Sequence, residues 1–356
     1  MPRFWDNLNL AVHLLTFEVQ ATTRMVLPPF KGSTFRGAWK NVLTQAYCPA
    51  SPEDRARPDH ADACAACYLT ERETGPEARK PYALRPPLTR ETDFPPGAQL
   101  TFGFALFGPA WLLLPYILSA VKTMGEVQGV GRRVVGPGPR KGRGRFRLRA
   151  AYVEHPLRTP GRELMYAEGQ QMVFAPQNGA ITADEVRQAT AALLEALPDP
   201  ATLRLHFRSP LRVVHQKRLM RRFAFEPFFR RLIERLFMLA EEFGDPPLED
   251  ARAMLRAVVP ATQPLVEQVR VVEDRTWWWD LKGYSSRLKR EQPMGGLMGE
   301  VVLQAPKAVW ETLLLPILWG QFTHVGKNAV KGQGWYEIGK SANRRISGFA
   351  DQRRGE

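Results

Sequence analysis

The sequence predicts an α+β protein made by duplication of one domain. Its 356 residues, 44% of them hydrophobic, are enough for two moderate cores. A strand, helix, glycine-rich loop and strand occur in the same order twice, and each copy is preceded by a further strand and helix.

In the first copy, Leu8 to Ala21 alternates as a strand. Gly32 to Tyr47 places Phe35, Trp39, Val42, Leu43 and Ala46 on one helical face. Leu100 to Phe107 is rich in β-formers, and Gly108-Pro109 leads into a helix with Leu112-Leu113-Leu114-Pro115 and Ile117-Leu118. Gly125 to Arg145 is a glycine-rich basic loop that ends in the strand Phe146 to Val153.

Between the copies, Thr182 and Glu185 form a capping box for a helix striped with Val186, Thr190, Leu193, Leu194 and Leu197. Pro198 and Pro200 end it.

The second copy opens with a strand over Ala201 to Val214. Its long helix carries Phe225, Phe228, Phe229, Leu232, Ile233, Leu236, Phe237 and Ala240 at three-and-four spacing. Trp277 to Trp279 reads as a strand with core tryptophans, at most one of them free to stack on a base. Gly299 to Leu303 is a strand, Pro306 opens a helix through Leu313-Leu314-Leu315-Pro316-Ile317-Leu318, and Gly320 to Gly334 is the matching glycine loop before a strand at Trp335 to Ile338. The expected domains are 1–155, with a cysteine-bearing insertion at 48–80, and 201–340. A connecting segment spans 156–200, and 341–356 is expected to be a disordered basic tail.

Fifty Lys and Arg against 36 Asp and Glu give a net charge of +14, which favours a polyanionic partner. The longest apolar run, Trp111 to Leu118, is too short to span a membrane. Arg3 and Asp6 around Trp5 do not read as a signal peptide, so the expected location is the cytoplasm.

The charge is concentrated in three segments. From Val127 to Val153 there is no acid, and Gly131, Arg132, Arg133, Lys141, Arg143 and Arg145 lie in the glycine loop. From Pro200 to Phe225, again without acid, come Arg212, Lys217, Arg218, Arg221 and Arg222. The third holds Gly326, Lys327, Lys331, Gly332 and Gly334, which could cradle a phosphate but do not make a Walker loop. The plain alternative for each is a solvated, basic loop or hairpin.

Several motifs then resemble the CRISPR precursor-RNA-processing endoribonucleases of the RAMP superfamily. They are Leu27-Pro28-Pro29-Phe30-Lys31-Gly32-Ser33-Thr34-Phe35-Arg36-Gly37-Ala38-Trp39 followed by Cys48 and Cys64-Ala65-Ala66-Cys67, Ser209-Pro210-Leu211-Arg212-Val213, Tyr284-Ser285, Gly295-Gly296-Leu297-Met298-Gly299, and Thr323-His324-Val325-Gly326-Lys327 with Gly332-Gln333-Gly334. The resemblance implies tandem ferredoxin-like domains that bind CRISPR repeat RNA and cut the precursor without a metal cofactor. Effector-complex subunits are implied as further partners.

That cut is an attack of a ribose 2′-hydroxyl on the adjacent phosphorus, leaving a 2′,3′-cyclic phosphate and a 5′-hydroxyl. It needs a base, an acid and cations around the developing charge. Many such proteins place a histidine on or near the first helix, but Gly32 to Cys48 contains none. The candidates are therefore His324 beside Lys327 in the second glycine loop, and Lys40 on the first helix near Arg36.

Cys48, His60, Cys64 and Cys67 offer four soft ligands for a structural zinc, against the alternative of reduced, metal-free thiols. The rival functional reading is a RAMP subunit that holds processed RNA without cutting it. A basic structural protein would fit the charge but not the duplication.

Overall fold

The computed structural model describes residues 3–55, 57–72, 79–135, 141–170, 179–285 and 290–339. The tail at 341–356 lies outside them.

The first half is an antiparallel sheet in the order Tyr82–Arg85, Gln99–Phe107, Val12–Ala21, Phe146–Glu154, Arg162–Ala167. Its helices, Gly32–Tyr47 and Leu114–Thr123, follow the first and third of the strands expected in a β-α-β-β-α-β unit. The second sheet repeats the order with Arg270–Asp274, Gly296–Ala305, Ala201–Leu211 and Tyr336–Gly339. Each opening strand is thus central, flanked by the third and fourth, which is the ferredoxin-like arrangement twice over. The connecting segment adds Arg162–Ala167 to the first sheet, and the helix Ala183–Ala196 starts in the expected capping box at Thr182 and Glu185.

Alternation along the first strand assigns its two faces. Leu15, Phe17 and Val19 pack with Phe35, Trp39 and Phe104 in the first core, whereas Val12 and Leu14 join the second half's core beside Phe237 and Trp310. The halves therefore share buried apolar surface. Trp5 goes further in, its ring against Phe237 at 5.9 Å and its Nε1 donating to the Thr312 carbonyl at 2.7 Å.

The two Leu-Leu-Leu-Pro segments fold differently. In the first, a 3-10 turn over Gly108–Leu113 precedes the helix, and Pro115 falls in its opening turn, where no amide is needed. In the second, the helix Lys307–Thr323 runs through Pro316. Proline there cannot donate to the carbonyl four residues back, at Thr312, and the Trp5 indole supplies the missing donor.

Three expectations are corrected. Gly125 to Arg145 is not an open loop: after a helical turn it forms a two-stranded hairpin, Val130–Val135 with Lys141–Gly144. The helix expected to end near Gly320 continues to Thr323. A helix at Ala251–Val266, with Pro260 and Pro264 inside it, was not expected.

Candidate nucleic-acid interface

The second glycine turn sits against the start of the first helix. A Cβ on Gly32 would collide with the Lys331 carbonyl, so glycine permits the contact. Just before it, Lys31 is fully buried, with Nζ donating to the carbonyls of Thr89 at 2.7 Å and Pro29 at 3.2 Å. Burial lowers its pKa to about 8.

Ser33, Arg36 and Lys40 then share one side of the helix by their spacing. Ser33 Oγ donates to the Met294 sulfur at 3.4 Å, Arg36 Nε donates to the Tyr82 hydroxyl at 3.3 Å, and Lys40 pairs with Glu71 at 2.7 Å. Space over Gly37 is open. Lys331 approaches Arg36 from the other half. Burial, and then the Arg36 charge, lower the Lys331 pKa.

The turn is built by left-handed residues at Gly326, Asn328, Gly332 and Gly334. Five of its amides are used within the fold: Lys327 N–H donates to Arg212, Lys331 and Gln333 N–H to Asn328, Gly332 N–H to Ala329 and Gly334 N–H to Pro210. Gly332 and Gly334 shape the turn, while the exposed Lys327 and half-buried Lys331 supply its charge.

His324, the catalytic candidate of the second glycine loop, is enclosed. It is 0% exposed, with Nδ1 donating to the Gln333 carbonyl at 3.2 Å and Nε2 without a partner among the described residues. The ring stacks on Trp335, with centroids 6.0 Å apart. Burial, then the charges of Arg235 and Arg85, hold its pKa well below 6.5, so it is neutral and enclosed.

The basic segments connect through residues 25–36. In the first hairpin, Arg132, Arg133, Arg143 and Arg145 are exposed, and Gly131 lets the hairpin approach the Val26 carbonyl. The Lys141 side chain lies outside the described residues. From there the chain reaches Phe30, whose ring meets Trp279 of the other half at 6.4 Å. Arg212 donates to the Gly295 carbonyl at 2.8 Å, and Arg221 lies over Trp278 at 4.9 Å. Lys217, Arg218, Arg221 and Arg222 are exposed.

Other cations in these runs are partnered, Arg149 with Glu168, Arg204 with Glu300 and Arg208 with Glu337. Trp277, 40% exposed with Arg90 over its ring at 4.5 Å, is the most exposed tryptophan of the three. The chemistry missed from sequence is the approach of Lys331 to Arg36 and the support of Tyr82, which depends on contacts between distant segments.

The four expected metal ligands, Cys48, His60, Cys64 and Cys67, converge, with all donor atoms within 4.8 Å of one another. Among the described residues no helix is long and apolar enough to cross a membrane.

The family model for the CRISPR-associated endoribonuclease Cas6 matches residues 205–336, and a model described as an N-terminal domain matches residues 10–178. Two solved structures, a partial Cas6-RT-Cas1–Cas2 complex and a Cas6-RT-Cas1–Cas2 complex, are each 12% identical with TM-score 0.56 and are matched over 96% of this chain. The chain spans 48% and 30% of those proteins, and the likeness is one of fold. Thermus thermophilus Cas6 is 16% identical, with 92% of this chain and 98% of that one covered and a TM-score of 0.49. No curated protein matches the chain by sequence.

Proposed function

We propose that this chain, whose residues 205–336 match the family model for the CRISPR-associated endoribonuclease Cas6, is a Cas6-type RAMP protein that binds CRISPR repeat RNA across the junction of its halves and cleaves the precursor. The observation that carries this reading is the seating of the Lys331 turn of the second half against Gly32, at the start of the helix that carries Arg36 and the open space over Gly37, near enough that the Arg36 charge helps to lower the Lys331 pKa. Two cations brought together repel, and an anion between them relieves the repulsion. A backbone phosphate is such an anion.

In this reading the scissile phosphate lies over Gly37. Arg36, aimed by Tyr82, holds its non-bridging oxygens, while Lys331 takes or returns the proton because its ammonium form is already disfavoured. The 2′-hydroxyl attacks phosphorus, the 5′-oxygen leaves with a proton, and a 2′,3′-cyclic phosphate and a 5′-hydroxyl result. The nucleophile comes from the substrate, so the step uses no metal. Lys40, held by Glu71, and exposed Lys327 bind flanking phosphates. The exposed arginines of the two hairpins extend the path.

The rival reading, a subunit that only holds RNA, is favoured by two observations: the first helix has no histidine, and His324 is enclosed. Incubating the protein with its neighbouring repeat RNA in excess chelator, with end-group analysis, separates the two. The nuclease reading expects one cut ending in a cyclic phosphate, reduced roughly 10²–10³-fold in Arg36→Ala and Lys331→Ala. Tight binding with intact RNA would replace it with the passive subunit.

A further inference from the structure

We propose that Cys48, His60, Cys64 and Cys67 form a tetrahedral zinc site that fastens the inserted segment to the first helix and, through Arg72, to the second half. This site is separate from the RNA-cleaving groups and does not rest on their assignment.

The geometry is that of a ligand shell. A zinc bound to sulfur at about 2.3 Å in a tetrahedron sets its ligand atoms about 3.8 Å apart. Cys48 Sγ lies 3.6 Å from Cys67 Sγ and 3.3 Å from His60 Nε2, and all four donors fall within 4.8 Å. Three separate pieces of chain supply them. Cys48 ends the first helix, His60 lies in the short helix Pro58–Ala63, and Cys64 and Cys67 bracket the first turn of Ala65–Thr70. The amide of Ala50 also donates to the Cys48 sulfur, as suits a thiolate.

Ordinary packing does not account for this convergence. Buried cysteines behave as small apolar groups, yet His60 aims a ring nitrogen at the Cys48 sulfur. The helices of the insertion have 4, 6 and 6 residues, too short to hold themselves in water. Among its described residues, the buried apolar side chains besides cysteine are Ala61, Ala66 and Leu69. A segment with so small a core needs another source of order, and bound metal supplies folding free energy.

The consequence reaches across the molecule. Directly after Ala65–Thr70, Glu71 holds Lys40, and Arg72 pairs with Asp62 at 2.7 Å and with Glu242 of the second half at 3.4 Å. The Arg72 guanidinium also lies over the Phe243 ring at 5.7 Å. Fixing Cys64 and Cys67 therefore fixes the start of this link.

The test is metal analysis of the full chain, purified under reducing conditions without added RNA, followed by exchange with cobalt(II). About one zinc per chain is expected, as is an intense thiolate-to-cobalt absorption with visible bands of tetrahedral strength. Cys48→Ser and Cys67→Ser should each lose both signals and unfold at lower temperature, whereas His60→Cys, which keeps four ligands, should retain them. Wild-type protein with free thiols, no zinc and no thiolate–cobalt band would overturn the proposal, and so would a Cys48–Cys67 disulfide found by mass spectrometry. Zinc retained by both serine variants would place the metal elsewhere and also overturn it. None of these readouts involves cleavage, so a protein that binds zinc but does not cut RNA would count only against the nuclease reading.

Discussion

His324 and Lys331 lie in one glycine turn, and burial separates their roles. The imidazole is enclosed, while the ammonium reaches the side of the first helix that holds Arg36. His324→Asn keeps a side chain that can donate to the Gln333 carbonyl and carries no titratable group. The expected result is lowered stability with an unchanged pH profile of cleavage. Loss of the basic or acidic limb of that profile would return His324 to the chemistry.

The same residue gives a stability prediction. The unfolded chain protonates His324 near its ordinary 6.5 while the folded chain resists, so the unfolded state binds more protons below that pH. Stability is therefore full above about 6.5 and falls as pH falls toward the depressed folded value. Urea midpoints at pH 7 and 5 should drop further for the wild type than for His324→Asn. Sequence alone marked this histidine by its glycine and lysine neighbours. It could not show which of His324, Lys327 and Lys331 faces solvent, because that is decided by the packing of the turn on Trp335 and against Arg85 and the first helix, the last two distant in the chain.

At the scale of elements, the glycine turn works by shape. Gly332 has φ 88, and a Cβ would lie 2.6 Å from Pro86 Cδ. Gly332→Ala should therefore cost about 1–3 kcal/mol in a denaturant titration. It should also lower cleavage, because the strain falls between Lys331 and the strand Tyr82–Arg85. The first helix was legible in the sequence to its ends, since Phe35, Trp39, Val42 and Leu43 repeat cleanly and Lys31 and Cys48 bound it. The helix Ala251–Val266 was not read from the sequence, and the structure carries it through Pro260 and Pro264 with a partly exposed surface. The first glycine loop was read correctly as basic. Its hairpin was missed because glycines hid the strand alternation on which such a reading depends.

For the whole molecule, the duplicated order was legible because hydrophobic periodicity and punctuation are local signals. The joining of the basic segments was not, because it depends on Phe30 meeting Trp279 and Gly32 meeting Lys331. If they form one path, affinity for repeat RNA should fall steeply with salt. Removing an exposed cation on either half, Arg143→Ala or Arg218→Ala, should each reduce the slope of log affinity against log salt by about one. A slope changed by only one of them would confine the RNA to that half.

Trp5 has a consequence for how the chain reaches this state. Its indole lies among Phe229 and Phe237 and satisfies a carbonyl that Pro316 leaves open, so residues near 5 find their final place only when those near 312 exist. Trp5→Phe should keep most of the packing but strand that carbonyl, lowering stability by about 1–3 kcal/mol. On the ribosome, the early segment must wait, unsatisfied, until about three hundred further residues have been made. The two halves are therefore similar in plan but are not independent folding units, and a fragment beginning near residue 200 would lack the strap that closes its own last helix.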